Sequence, residues 1–204
     1  MAKTPDEAAD INLVEDLIFR PCGLVLEPFT REETARSKTP DRRVFRAGEL
    51  AAYTEIKSPR DDWFGERLAA ARPGTMVGGA RLDPVFNRIA RHIQNAASQF
   101  DAVNPRRHHP NILVLVNHAR QSDYRDLLET VTGVFRADTG ERFPTMKHIS
   151  DQRIARAKRR IDLCAWIDGR RRRIEGYLVN EATEPDYKLQ LCGLLGIDPA
   201  KIMH

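Results

Sequence analysis

Asn111-Ile112-Leu113-Val114-Leu115-Val116-Asn117 is apolar at every interior position. A half-buried strand alternates apolar and polar residues, whereas an unbroken run of this length suits a central strand covered on both faces. Before it lies a segment opened by Asp83-Pro84, in which Val85, Phe86, Ile89, Ile93, Ala96, Ala97 and Phe100 recur at helical spacing. Proline at the first helical position after an aspartate is a start signal for such a helix. An amphipathic helix feeding a doubly covered strand implies layers, with helices on both sides of a sheet.

The flanking sequence fills those layers. Residues Asp10 to Phe19 carry apolar residues at helical spacing, with Asp10 expected to cap the helix start and Pro21 and Gly23 expected to stop it. Leu24 to Phe29 predicts a first strand. Residues 59 to 83, with Pro59, Pro73, Gly74, Gly78 and Gly79, predict a loop holding a short helix over Trp63 to Ala70. A helix over Tyr124 to Val131 and a strand over Ile161 to Ile167 follow. Asp168-Gly169 signals a turn, with Ile174 to Val179 returning as a partner strand. The expected fold class is α/β, with a mixed central sheet flanked by helices. Residues 1–180 are expected to form one domain, with 181–204 packed on it as an extension containing a short helix near Leu189 to Leu195.

Thirteen residues separate Asp41 from Glu55-Ile56-Lys57, and that stretch predicts a hairpin turning at Ala47-Gly48-Glu49. With Gly48 as the pivot, Arg46 pairs with Leu50 and Asp41 falls opposite Glu55. Cross-strand partners have Cβ atoms roughly 4.5–5.5 Å apart, close enough for two carboxylates to share a cation. Lys57, two residues beyond Glu55, shares its face. A two-residue turn at Ala47-Gly48 instead pairs Asp41 with Thr54 and sends its side chain to the wrong face. Pro5-Asp6-Glu7 and Pro185-Asp186-Tyr187-Lys188 offer similar short patterns, but neither has the hairpin context.

The element order (helix, three strands, helix, strand, helix, strand), taken with Pro40-Asp41 and Glu55-Ile56-Lys57, resembles the PD-(D/E)xK nuclease superfamily and its restriction-endonuclease-like αβββαβ core. The resemblance covers roughly residues 10 to 168. It implies that Asp41 and Glu55 bind Mg²⁺ or Mn²⁺, with the Ile56 carbonyl as a further ligand. It implies too that Lys57 orients or helps deprotonate the attacking water. Glu15 matches the position of an additional acidic ligand in some members, although an acid on the solvated surface of the helix accounts for it better. Gln94 and Gln99 fall where some relatives carry a glutamine near the site, although a solvated helix face accounts for each. His118 is expected to cap or pack at the sheet end, His108 and His109 to lie in a loop, and Trp166 and Tyr177 to serve the core.

Charge points to a partner. Arg153, Arg156, Lys158, Arg159, Arg160 and the run Arg170, Arg171, Arg172 and Arg173 fall within one short region, a cluster suited to a polyanion or simply to a solvated face. The four consecutive arginines, just past a turn signal, are expected to project from a hairpin tip against a phosphate backbone. Three widely spaced cysteines in 204 residues suggest neither a disulfide framework nor a zinc cluster. With no membrane-length apolar run and no signal-peptide pattern at the start, a reducing cytoplasm is the expected location. The function these features predict is metal-dependent hydrolysis of phosphodiesters, DNA before RNA, with a homodimer suited to cutting two strands. The alternatives are a non-catalytic nucleic-acid- or protein-binding module on the same fold and an assembly protein that uses its arginines on acidic partners.

Overall fold

In a computed structural model, residues 5–59, 63–76, 85–120, 122–180, 183 and 185–199 are described. A six-stranded sheet in the order β1-β2-β3-β4-β7-β8 forms the middle layer. Its strands are β1 (Leu24–Glu27), β2 (Arg42–Arg46), β3 (Glu49–Lys57), β4 (Asn111–Asn117), β7 (Leu163–Asp168) and β8 (Arg173–Val179). β3, β4 and β7 run parallel, and the outer pairings are antiparallel. The sheet is therefore mixed, as the sequence predicts. β4 is buried at all seven positions, in keeping with its apolar run.

One face is covered by α1 (Pro5–Val14), which continues through a π turn over Glu15–Phe19, and by α7 (Pro185–Leu195). Val14, Ile18, Phe19, Ile56, Val114 and Leu195 meet there. The segment expected as an extension thus supplies side chains to this core. α4 (Val85–Val103) and α5 (Tyr124–Thr132) cover the other face, where Ile89, Ile93 and Phe100 pack on Leu113, Leu115 and Trp166. Each fully buried side chain of this size contributes about 1.5–3 kcal/mol. The predicted α4 stripe is buried at Ile89, Ile93, Ala96, Ala97 and Phe100, and half-buried at Val85 and Phe86. Its predicted start, Asp83-Pro84, lies outside the described residues.

Five short elements have no counterpart among the sequence-based expectations. A capping box between Thr30 and Glu33 starts the short α2 (Arg31–Arg36). A two-stranded ribbon, β5 (Phe135–Arg136) with β6 (Arg142–Phe143), follows α5. A π turn over His148–Arg153 leads into α6 (Ala155–Lys158). The short helix expected after β3 is α3 (Trp63–Ala70). Among the described residues no helix is long and apolar enough to cross a membrane, and Cys22, Cys164 and Cys192 are free thiols.

The first helix corrects one expectation. It begins at Pro5, so Asp10 lies inside it and caps nothing. Its buried carboxylate instead accepts from the Ser58 hydroxyl and pairs with His118 Nε2 at 2.8 Å. Asp10 thereby fastens α1 to the ends of β3 and β4. The His118 ring lies over Gly169, where an added Cβ would come within 2.4 Å of it. His118 thus packs at the sheet end, as expected.

Candidate active site at the β2–β3 hairpin

The hairpin turns through two residues, not three. Ala47 and Gly48 both have positive φ, 51° and 85°, and Arg46 pairs with Glu49 rather than Leu50. Positive φ at both central positions is the conformation whose twist matches the flanking strands. On its own this turn would set Asp41 against Thr54. A bulge restores the other register. Phe45 pairs with Leu50 and Val44 with Ala52, so Ala51 is the extra residue, and Arg42 then pairs with Thr54. One step further out, Asp41 faces Glu55.

Pro40, which lacks an N–H, precedes Asp41, and there side chains take over the pairing. The Asp41 N–H donates to Glu55 Oε2 at 2.7 Å. In return, the Ile56 N–H donates to Asp41 Oδ2 at 2.9 Å. The two carboxylates are thus locked beside each other by reciprocal bonds to the opposite backbone. Lys57 Nζ forms an ion pair with Glu55 Oε1. That oxygen is buried and accepts no hydrogen bond of regular geometry. Glu55 has no exposed surface, whereas the Lys57 side chain is 24 % exposed.

Burial, followed by the charge of Asp41, pushes the Glu55 carboxyl up from 4.5 to about 7, against the opposing pull of Lys57. Two adjacent carboxylates, one of them desolvated and paired with the Lys57 ammonium, offer oxygen donors of the kind that hard divalent cations take. Among the described residues no group of three or more His, Cys, Asp and Glu side chains is placed to hold a metal. The side-chain ligands on offer are therefore two, and an ion such as Mg²⁺, which keeps several waters, suits so small a set.

Glu55 and Lys57 pair with Leu113 and Leu115 and share their face, the one under α4. Glu15, expected as a further ligand, does not join them. It lies in the π turn of the layer across the sheet and pairs with Arg20 at 3.5 Å. Gln99, expected on a solvated face, instead reaches from α4 to donate to the Thr39 carbonyl at 2.9 Å, while its own Oε1 is buried without a partner. It anchors the chain two residues before Asp41. Gln94 donates to the Arg153 carbonyl at 3.2 Å.

His92 was missed. It lies seven residues before Gln99, on the same face of α4. Burial, then the charges of Lys57, Arg88 and Arg91, lowers its pKa to about 4, so it is neutral at pH 7. A readable signal existed: His92 and Gln99 are polar residues two turns apart, bordering the apolar stripe.

Arg170, Arg171, Arg172 and Arg173 occupy the tip and return of the β7–β8 hairpin, as expected. All four are exposed. Asp168 accepts from the backbone N–H groups of Arg170 and Arg171 and pairs with their side chains at 3.8 and 3.7 Å. Arg173 pairs with Glu175 at 3.3 Å. Trp166 is fully buried and Tyr177 packs against the core, so neither serves as a stacking platform. Comparison with known proteins gives no match to a family model, to a curated protein or to a solved structure.

Proposed function

We propose that this chain is a metal-dependent nuclease with a restriction-endonuclease-like core, hydrolysing phosphodiester bonds in DNA. The observation that carries the reading is the reciprocal Asp41–Glu55 lock with Lys57 paired to Glu55. Asp41 and Glu55, with the Ile56 carbonyl, would hold Mg²⁺ or Mn²⁺. When bound, such an ion supplies Lewis-acid polarisation and a water activated near neutral pH.

The remaining chemistry belongs to the protein. Lys57, beside Glu55 on the same strand face, would offer its ammonium to the attacking water and to the charge that builds on the phosphorus oxygens. Neutral His92 beside it adds no competing charge. Gln99 holds Thr39, and through it the approach to Asp41.

A non-catalytic nucleic-acid- or protein-binding module is the alternative, and the exposed arginines serve it equally well. It gives no reason for a fully buried glutamate held against a second carboxylate, a cost that the Lys57 ammonium offsets only in part, since the Glu55 carboxyl still stands well above its usual range. The test is incubation of supercoiled plasmid, single-stranded DNA and RNA with the protein in Mg²⁺, in Mn²⁺ and in EDTA. Plasmid nicking or linearisation that stops in EDTA and in Lys57→Ala is the expected result. Failure to cut any of the three in either metal refutes the nuclease and leaves the binding module. A homodimer, which would suit cleavage of both strands, is tested by sedimentation of the same samples.

A further inference from the structure

The arginines in the second half of the chain are not equivalent, and the fold sorts them into two surfaces. At the β7–β8 tip, Asp168 and Glu175 engage Arg170, Arg171 and Arg173, leaving Arg172 as the one tip arginine without an acidic partner among the described residues. The second surface surrounds α4. From Val85 to Phe100 that helix contains no acidic residue; Arg91, Asn95 and Ser98 are exposed along it, and Asn87 and Arg88 are half-buried.

The π turn and α6 lie against this helix. Arg153 donates to Asn87 Oδ1 at 2.6 Å, and Gln94 holds the Arg153 carbonyl. Arg156 flanks Ala97 and Ser98 in a shallow hollow. The acids nearby are engaged elsewhere: Asp101 pairs with Arg160, and Asp151 with Lys147 and Lys158 at 3.4 and 3.5 Å. Arg153, Arg156 and Arg159 are exposed, and no acid among the described residues pairs with them. From Asn87 to Ser98 the helix rises roughly 16 Å, a length over which one strand of a duplex presents four or five phosphates. The inner side of the same helix packs on Leu113 and Leu115, the sheet face that Glu55 and Lys57 share.

We infer that the DNA backbone docks along α4 and α6, with phosphates held by Arg153, Arg156 and Arg159 on the outer side and the scissile bond delivered to Lys57 past Arg88, Arg91 and His92. The Arg170–Arg173 tip is a minor contact. The inference rests on the proposed nuclease function for its substrate, and it adds where that substrate lies.

The test is fluorescence anisotropy of a labelled DNA duplex titrated with the full chain in EDTA, across a salt series. Each phosphate contact contributes about 0.9 to the slope of log affinity against log salt, so Arg153→Gln, Arg156→Gln and Arg159→Gln together should lower it by about 2.7. The corresponding lysine variants should restore most of the slope, since they keep the charge. Arg170→Gln, Arg171→Gln and Arg172→Gln together should lower it by less than about 0.9. An unchanged slope in the first triple variant, with its melting profile intact, overturns the inference. So does an equal or larger loss in the tip variant. Failure of the unaltered chain to cleave DNA in Mg²⁺ or Mn²⁺ refutes the proposed chemistry instead, and the salt slopes still report whether this face binds the duplex.

Discussion

If Asp41 and Glu55 hold a divalent cation, metal affinity must follow the titration of Glu55, because a ligand carboxylate has to lose its proton to bind. Burial and Asp41 place that titration at about 7. A single coupled proton then weakens the apparent affinity about 2-fold at pH 7, about 11-fold at pH 6 and about 100-fold at pH 5, relative to the alkaline plateau. Binding should release about half a proton per ion at pH 7 and about 0.9 at pH 6. Isothermal titration of Mn²⁺ between pH 5 and pH 8, in buffers of different ionisation enthalpy, measures both quantities. Lys57→Met adds a check on the cause. The Lys57 charge lowers the Glu55 pKa, so its removal should move the midpoint above 7 while leaving the plateau affinity at high pH nearly intact. An affinity that stays flat from pH 8 to pH 6 would refute the reasoning, as would a midpoint that falls in Lys57→Met.

The same carboxyl sets a stability trend in the metal-free protein. Its folded-state pKa lies above the unfolded value, so the contribution present below about 4.5 is lost as pH rises through about 7. Glu55→Gln should therefore raise stability at pH 8 by about 1–3 kcal/mol and change it little at pH 4, and thermal melts at the two pH values check this. Gln99→Leu removes the anchor on Thr39 and should lower Mn²⁺ affinity about 10-fold, with the helix content by circular dichroism unchanged. Ala47→Asn places a residue suited to positive φ in the turn and should stabilise the fold by about 0.5–1 kcal/mol in urea denaturation; a loss of stability would contradict the turn geometry. Lys57→Ala should bind Mn²⁺ at high pH and lose cleavage, whereas Asp41→Ala should lose both.

Legibility followed period and failed with long-range contact. The β4 run and the α4 stripe were readable because covered strands and amphipathic helices stamp their burial on consecutive residues. The facing of Asp41 and Glu55 was readable only through a compensation. The real turn is one residue shorter than the expected one, and the bulge at Ala51 cancels the difference. Nothing at Ala51 announces a bulge, since alanine fits a regular ladder as well.

Asp10, Glu15 and Gln99 show the other limit. Which acid of the first helix turns inward depends on where the helix begins and on what waits at the ends of β3 and β4. There Ser58 and His118 receive Asp10, while Glu15 stays with Arg20. Gln99 looked like a surface residue because its partner, the Thr39 carbonyl, lies sixty positions away. The arginine run at the tip was readable as exposed charge, but the pairing of three of its members with Asp168 and Glu175 needed the strand register.

The most direct test of the central claim combines metal binding with cleavage on the same samples. Mn²⁺ is titrated into the unaltered protein, Asp41→Ala and Glu55→Ala near pH 8, and each sample is then given supercoiled plasmid. The account predicts that the unaltered protein binds Mn²⁺ and cuts, and that both variants lose binding and cleavage in parallel. Cleavage that persists in either variant, or an unaltered protein that binds no metal, would contradict it.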